Sequence, residues 1–97
     1  MSNTITEVTK HLTIHGSVQG VAYRAWLIQK AEAAGVHGWV KNRHNGTVEA
    51  LLHGPEAAVD QLIERAYKGP DAATVSKIDV NDSDYSGPAL FEMHTTD

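Results

Sequence analysis

Apolar and polar residues change places with two different periods along this chain. Over residues 8–14 they alternate, with Val8, Leu12 and Ile14 on one side and Thr9, His11, Thr13 and His15 on the other. A period of two predicts a half-buried strand. After a glycine-bearing loop, Gly16-Ser17-Val18-Gln19-Gly20-Val21, the period lengthens: Tyr23, Leu27, Ala31 and Ala34 recur at helical spacing with Trp26 beside them, and Gly35 is the stop signal. Alternation returns over 36–42, with Val36, Gly38, Val40 and Asn42 on one face and His37, Trp39 and Lys41 on the other. Asn45-Gly46 is a hairpin-turn dipeptide, since both residues tolerate positive φ, and 47–53 resumes as a third strand with Val48, Ala50 and Leu52 inward. Gly54-Pro55-Glu56 opens a second helix, whose pairs Ala58/Val59, Leu62/Ile63 and Ala66/Tyr67 make a continuous apolar stripe up to Gly69-Pro70. Residues 75–80 and 90–94 supply two more strands, the latter with Phe91 and Met93 inward.

The order β-α-β-β-α-β-β is the split β-α-β pattern of ferredoxin-like α+β sandwiches, an antiparallel sheet with two helices on one face. One unit is expected over 8–97, behind a loose N-terminal segment of residues 1–7. A strand-helix-strand crossover makes the first two strands parallel, so the loop after the first and the end of the second lie at the same edge of the sheet. Gly16 to Arg24 and Asn42 are therefore expected to meet. Asn42 shares the parity of Val40, which points its side chain toward the helix-covered face, just past the core.

Composition narrows the classes. The 97 residues are 41% hydrophobic and 21% charged, inside the globular range, and a chain of this size buries roughly 60–70% of its extended surface without metal or disulfide staples. The lack of Cys excludes a thiolate nucleophile, a Cys-based zinc site and a disulfide framework. Eight Lys and Arg against twelve Asp and Glu leave a net charge of −4, which argues against nonspecific nucleic-acid binding. No apolar run approaches the roughly 18 residues of a membrane span, and the first ten residues lack the basic start and apolar middle of a signal peptide. The expectation is a cytoplasmic protein with no membrane partner and, from its size, a monomer.

The two helix starts differ in charge. The second carries Glu56 where the helix dipole favours an anion, whereas the first, near Val21 or Ala22, has no capping oxygen, and its first turn holds Arg24 with no acid before Glu32. An uncompensated cation there costs about 0.3–1 kcal/mol, and the backbone N–H groups lack partners. A bound anion would resolve both, with Gly16 and Gly20 turning the loop amides inward around it. Spacing alone leaves open a plain tight turn with Arg24 as a solvated charge. Lys41-Asn42-Arg43-His44 is a basic cluster expected beside this loop, or else an ordinary polar hairpin.

Gly16-Ser17-Val18-Gln19-Gly20-Val21-Ala22-Tyr23-Arg24, then Gly35-Val36-His37-Gly38-Trp39-Val40-Lys41-Asn42 and Gly46-Thr47-Val48-Glu49, together resemble the acylphosphatases. The two main blocks stand in the family's order and separation, and the match runs from about Leu12 to the last strand. Tyr23 replaces a common Phe, and Asn45 replaces a common Asp. The resemblance implies hydrolysis of the mixed anhydride of carboxyl phosphates, without metal or cofactor. By matching position it makes Arg24 and Asn42 the catalytic pair. Arg24 and the loop residues Gly16, Ser17, Val18, Gln19, Gly20 and Val21 would hold the phosphoryl group, and Asn42 would orient the attacking water.

Other residues are read as structural. His11 and His15 share a strand face but lie about 13 Å apart by the rise per residue, too far to chelate one ion. No metal ligand set is expected. Trp26 and Trp39 read as packing or sheet-surface residues, and no nucleophile elbow supports a serine hydrolase. An RNA-recognition module needs exposed aromatics on its central strands, where Thr9, His11, Thr13, His15, Thr47, Glu49, Leu51 and His53 stand instead. The alternative function is a noncatalytic anion-binding regulatory module built on the same loop.

Overall fold

Each stretch with a period of two forms a strand and each helical stretch a helix, in the order the sequence predicts. The computed structural model describes residues 6–96, with β1 (Glu7–Ser17), α1 (Tyr23–Ala34), β2 (His37–Asn42), β3 (Val48–Pro55), α2 (Glu56–Lys68), β4 (Thr74–Asp82) and β5 (Phe91–Met93). The sheet order is β4-β1-β3-β2-β5. β3 is the central strand, antiparallel to both β1 and β2, so those two run in the same direction as expected without being neighbours. β4 joins β1 antiparallel, while β5 joins β2 parallel, so the sheet is mixed at that one edge.

The inward faces of β1, β2 and β3 supply Leu12, Ile14, Val40, Val48, Ala50 and Leu52, all fully buried. Tyr23, Leu27 and Ala31 of α1 and Val59, Leu62 and Ala66 of α2 close over them. Each large side chain buried in this way stabilises the fold by about 1.5–3 kcal/mol relative to exposure. Leu51 lies on the opposite, open face, yet it too is buried. Its register partners on either side are His11 and Trp39, whose rings meet edge-on above the sheet at 6.3 Å between centroids.

Four expectations shift. Glu7 belongs to β1, opposite Pro55, so the strand begins one residue before Val8; residues 1–5 of the expected loose segment lie outside the described residues. β1 also continues through Gly16 and Ser17, which pair with Val75 and Thr74 of β4 after a register shift at His15/Gly16. This bulge turns the strand end toward β4 and takes Gly16 and Ser17 out of the loop. Tyr67, placed in the apolar stripe of α2, is half exposed at the end of the helix. Met93, expected inward with Phe91, is 48% exposed: it keeps Phe91's parity but stands beyond the core, on an edge strand.

Candidate active site

α1 starts without help from side chains. Ala22 at its N-cap adopts left-handed φ 62, ψ 26, offers no capping bond, and is the one non-glycine residue with positive φ among the described residues. For a residue with a Cβ that conformation costs about 1–2 kcal/mol. The first helical bond runs from the Trp26 N–H to the Ala22 carbonyl at 3.1 Å, which leaves the N–H groups of Tyr23, Arg24 and Ala25 directed out of the helix end. No acidic residue stands in this first turn, whereas α2 has Glu56 in its first turn and Arg65 and Lys68 in its last.

Packing keeps this unfavourable start in place. Tyr23 is buried and its hydroxyl donates to the Ala66 carbonyl at 2.6 Å, tying the first turn of α1 to the last turn of α2. Burial pushes the phenol's pKa far above its usual 10.0, so the group remains a donor. Gly69, at φ +66, lies under the Tyr23 ring, where a Cβ would come within 2.8 Å of it. The loop before the helix is anchored on its other side. Gln19 Nε2 donates to the carbonyls of Arg43 at 2.7 Å and Thr47 at 2.8 Å, joining the loop to the β2–β3 hairpin. Asn45 Oδ1 accepts from both the N–H and the hydroxyl of Thr47, which fixes the turn itself.

These anchors bring Arg24 and Asn42 to one pocket of about 140 Å³. Val18, Gly20 and Ala22 line it from the loop, Tyr23, Arg24 and Ala25 from α1, Asn42 from β2 and Met93 from β5. Asn42 Oδ1 is buried and, among the described residues, is the one buried side-chain polar atom without a hydrogen-bond partner. Leaving such an acceptor unsatisfied costs about 1–3 kcal/mol, which marks a place for a donor from the pocket.

Of the anticipated loop residues, Val18 and Gly20 line the pocket; Gly16, Ser17, Gln19 and Val21 do not. Gly16 and Ser17 are held by β4, and Gln19 is turned into the hairpin. Lys41 and Arg43, expected to raise the potential beside the loop, instead pair with Glu49 on the open sheet face, at 3.7 and 2.7 Å, together with His11 at 2.5 Å. Burial pushes the Glu49 carboxyl up, but the bonds from His11 and Arg43 outweigh it and hold the group below its ordinary value. His15 pairs separately with Asp79, whose carboxyl its hydrogen bond holds low. His44 is exposed in the turn and does not line the pocket. Met93, Ala22 and Ala25 were not singled out as site residues in the sequence reading. The parity of Met93 with Phe91 is the sequence signal that points to it, and its pairing with Val40 emerges only with the sheet.

A bare helix start with an arginine in its first turn shares one pocket with an orphaned carboxamide oxygen, in a small α+β protein with two helices on one face of its sheet. Comparison with known proteins narrows the class. The family model for acylphosphatase matches residues 10–93. The chain is 44% identical over 96 residues to an acylphosphatase of Acidovorax sp. (strain JS42), covering 99% of both chains. The crystal structure of acylphosphatase from Bacillus subtilis superposes with a TM-score of 0.86 at 33% identity, covering 90% of this chain and 98% of that one. An acylphosphatase structure from Coxiella burnetii gives 0.88 at 30% identity, over 96% and 100%. The chain belongs to the acylphosphatase family.

Proposed function

We propose that this chain hydrolyses acyl phosphates and that Arg24 and Asn42 carry the reaction. The observation behind the assignment of roles is the buried, unpartnered Asn42 Oδ1 in the same small pocket as Arg24. A carboxamide oxygen accepts an O–H from water and orients it, but it cannot act as a base at neutral pH. The Arg24 guanidinium and the free N–H groups at the start of α1 bind the phosphoryl oxygens and stabilise the charge that develops on them.

Water attacks phosphorus in line with the acyl oxygen, the bond between phosphorus and that oxygen breaks, and its electron pair leaves on the carboxylate. Both hydrogens of the water end on the phosphate, which becomes dihydrogen phosphate. The phosphoryl group itself accepts the proton in this scheme, so no side-chain base is required. A carboxylate is a good leaving group, and positioning with electrostatic stabilisation suffices.

Hydrolysis of benzoyl phosphate in the presence of chelator tests the reading. The wild type turns over, while Arg24→Ala and Asn42→Ala each lose at least about 100-fold in kcat with native circular dichroism. A folded wild type that binds phosphate but hydrolyses nothing leaves the anion-binding module instead. The same reading places the protein in the cytoplasm as a monomer acting on a diffusible substrate. Sedimentation of the active species checks the monomer.

A further inference from the structure

The pocket that holds Arg24 and Asn42 is too small to enclose an acyl phosphate with a bulky acyl group. Its volume of about 140 Å³ falls below the roughly 300–1,000 Å³ of pockets that enclose small-molecule ligands. It accommodates a phosphoryl group with a small acyl group, so a larger acyl group extends outside it.

The surface beyond the pocket is continuous and chemically distinct. Ala22 and Ala25, two small side chains that line the pocket, also line a shallow depression with Trp26 and Pro70, whose other walls are Ile28, Gln29 and the acid Glu32. Trp26 and Pro70 in turn border a groove of about 530 Å³ between the two helices, walled by Lys30, Arg65 and Lys68 with Asp71 as its one acid. From Ala22 to Lys30 this path covers about 12 Å of helix rise. From the sequence the indole reads as a packing or sheet-surface residue. It does pack, with its ring 5.5 Å from that of Tyr23, yet it stays partly exposed on this path.

The cations are sorted in the same way. Lys10, Lys41, Arg43 and Lys77 each pair with a carboxylate. Among the described residues, those without an ion pair are Arg24, at the catalytic pocket, and Lys30, Arg65 and Lys68, in this groove. In a chain of net charge −4, the unneutralised positive charge is thus divided between the two ends of one path.

We propose that Trp26 is a specificity-determining residue. Its ring, with Pro70, carries an aromatic or extended apolar acyl group, and Lys30, Arg65 and Lys68 draw an anionic group at the far end. The preferred substrate class is an acyl phosphate with a second negative charge remote from the phosphoryl group. This rests on the hydrolase reading above.

The test compares kcat/KM for acetyl phosphate, benzoyl phosphate and 4-carboxybenzoyl phosphate. In Trp26→Ala the ratio of benzoyl to acetyl phosphate falls about tenfold, mainly through KM, and Trp26→Phe restores most of it. In the triple variant Lys30→Gln, Arg65→Gln, Lys68→Gln the ratio of 4-carboxybenzoyl to benzoyl phosphate falls about fivefold, and the wild-type ratio itself declines with added salt. Because each readout is a ratio within one protein sample, a lowered folded fraction cancels. A ratio that keeps its wild-type value in either variant overturns the proposal. A wild type inert toward all three substrates defeats the hydrolase reading and the subsite with it, a result distinct from an unchanged ratio.

Discussion

Glu49 receives bonds from His11 and Arg43 while only 15% of its side chain remains exposed. Those bonds lower its pKa from the usual 4.5 despite burial, so the folded state binds this proton less readily than the unfolded chain. The stabilisation is therefore complete above about pH 4.5 and is lost as pH falls through the lower folded value. Glu49→Gln is expected to lose about 1–2 kcal/mol at pH 7, with the gap to wild type closing below about pH 4 in paired thermal melts. Tyr23 poses the opposite case, a buried neutral donor. Tyr23→Phe keeps the ring against Gly69 and Trp26 but leaves the Ala66 carbonyl without its bond. The expected loss is about 1–2 kcal/mol in urea unfolding. Neither residue's environment was legible in the sequence, because Glu49 depends on His11, 38 positions away, and Tyr23 on Ala66, 43 positions away; those partners become visible only once the strands and helices are placed.

At the level of elements, the start of α1 holds the clearest strain. Ala22 sits in a left-handed conformation that glycine adopts freely. Ala22→Gly is expected to stabilise the protein by about 0.5–1 kcal/mol, after allowing for the greater freedom of glycine in the unfolded chain. For a domain of this size that is about 2–8 °C in melting temperature, read by calorimetry. The sequence announced this helix start correctly as uncapped and cationic, since caps and charges are local properties. Its other element assignments succeeded where a single period governed a whole stretch, as in α2. They slipped where a neighbour decided the outcome. Gly16 and Ser17 look like loop residues, yet β4 lies alongside and extends the strand through them. Met93 alternates correctly with Phe91, but alternation carries no information on where the core ends.

For the whole molecule, the pocket implies that ligand binding and folding are linked. An anion that binds only the native state at 100 times its dissociation constant stabilises it by about 2.7 kcal/mol. Inorganic phosphate should therefore raise the melting temperature of the wild type, and Arg24→Gln should abolish most of the rise. The meeting of Arg24 with Asn42 followed from topology alone, because a crossover between parallel strands brings those chain segments to one edge. What the sequence missed was the division of charge around them: Lys41 and Arg43 have the same sign as Arg24 but stand with Glu49 on the open face. The sheet register adds a requirement of another kind. Val48 of β3 is paired at once with Ile14, at the approach to the loop, and with Asn42. β1 and β2 never pair with each other, and within the sheet they are aligned through that shared partner. The five residues of the turn, 43–47, thereby set a permissible length as well as a composition. Deleting one of them slips β2 by a single position and turns the carboxamide to the far side of the sheet, so a change of length by one residue here should abolish the site even with every side chain of the pocket kept.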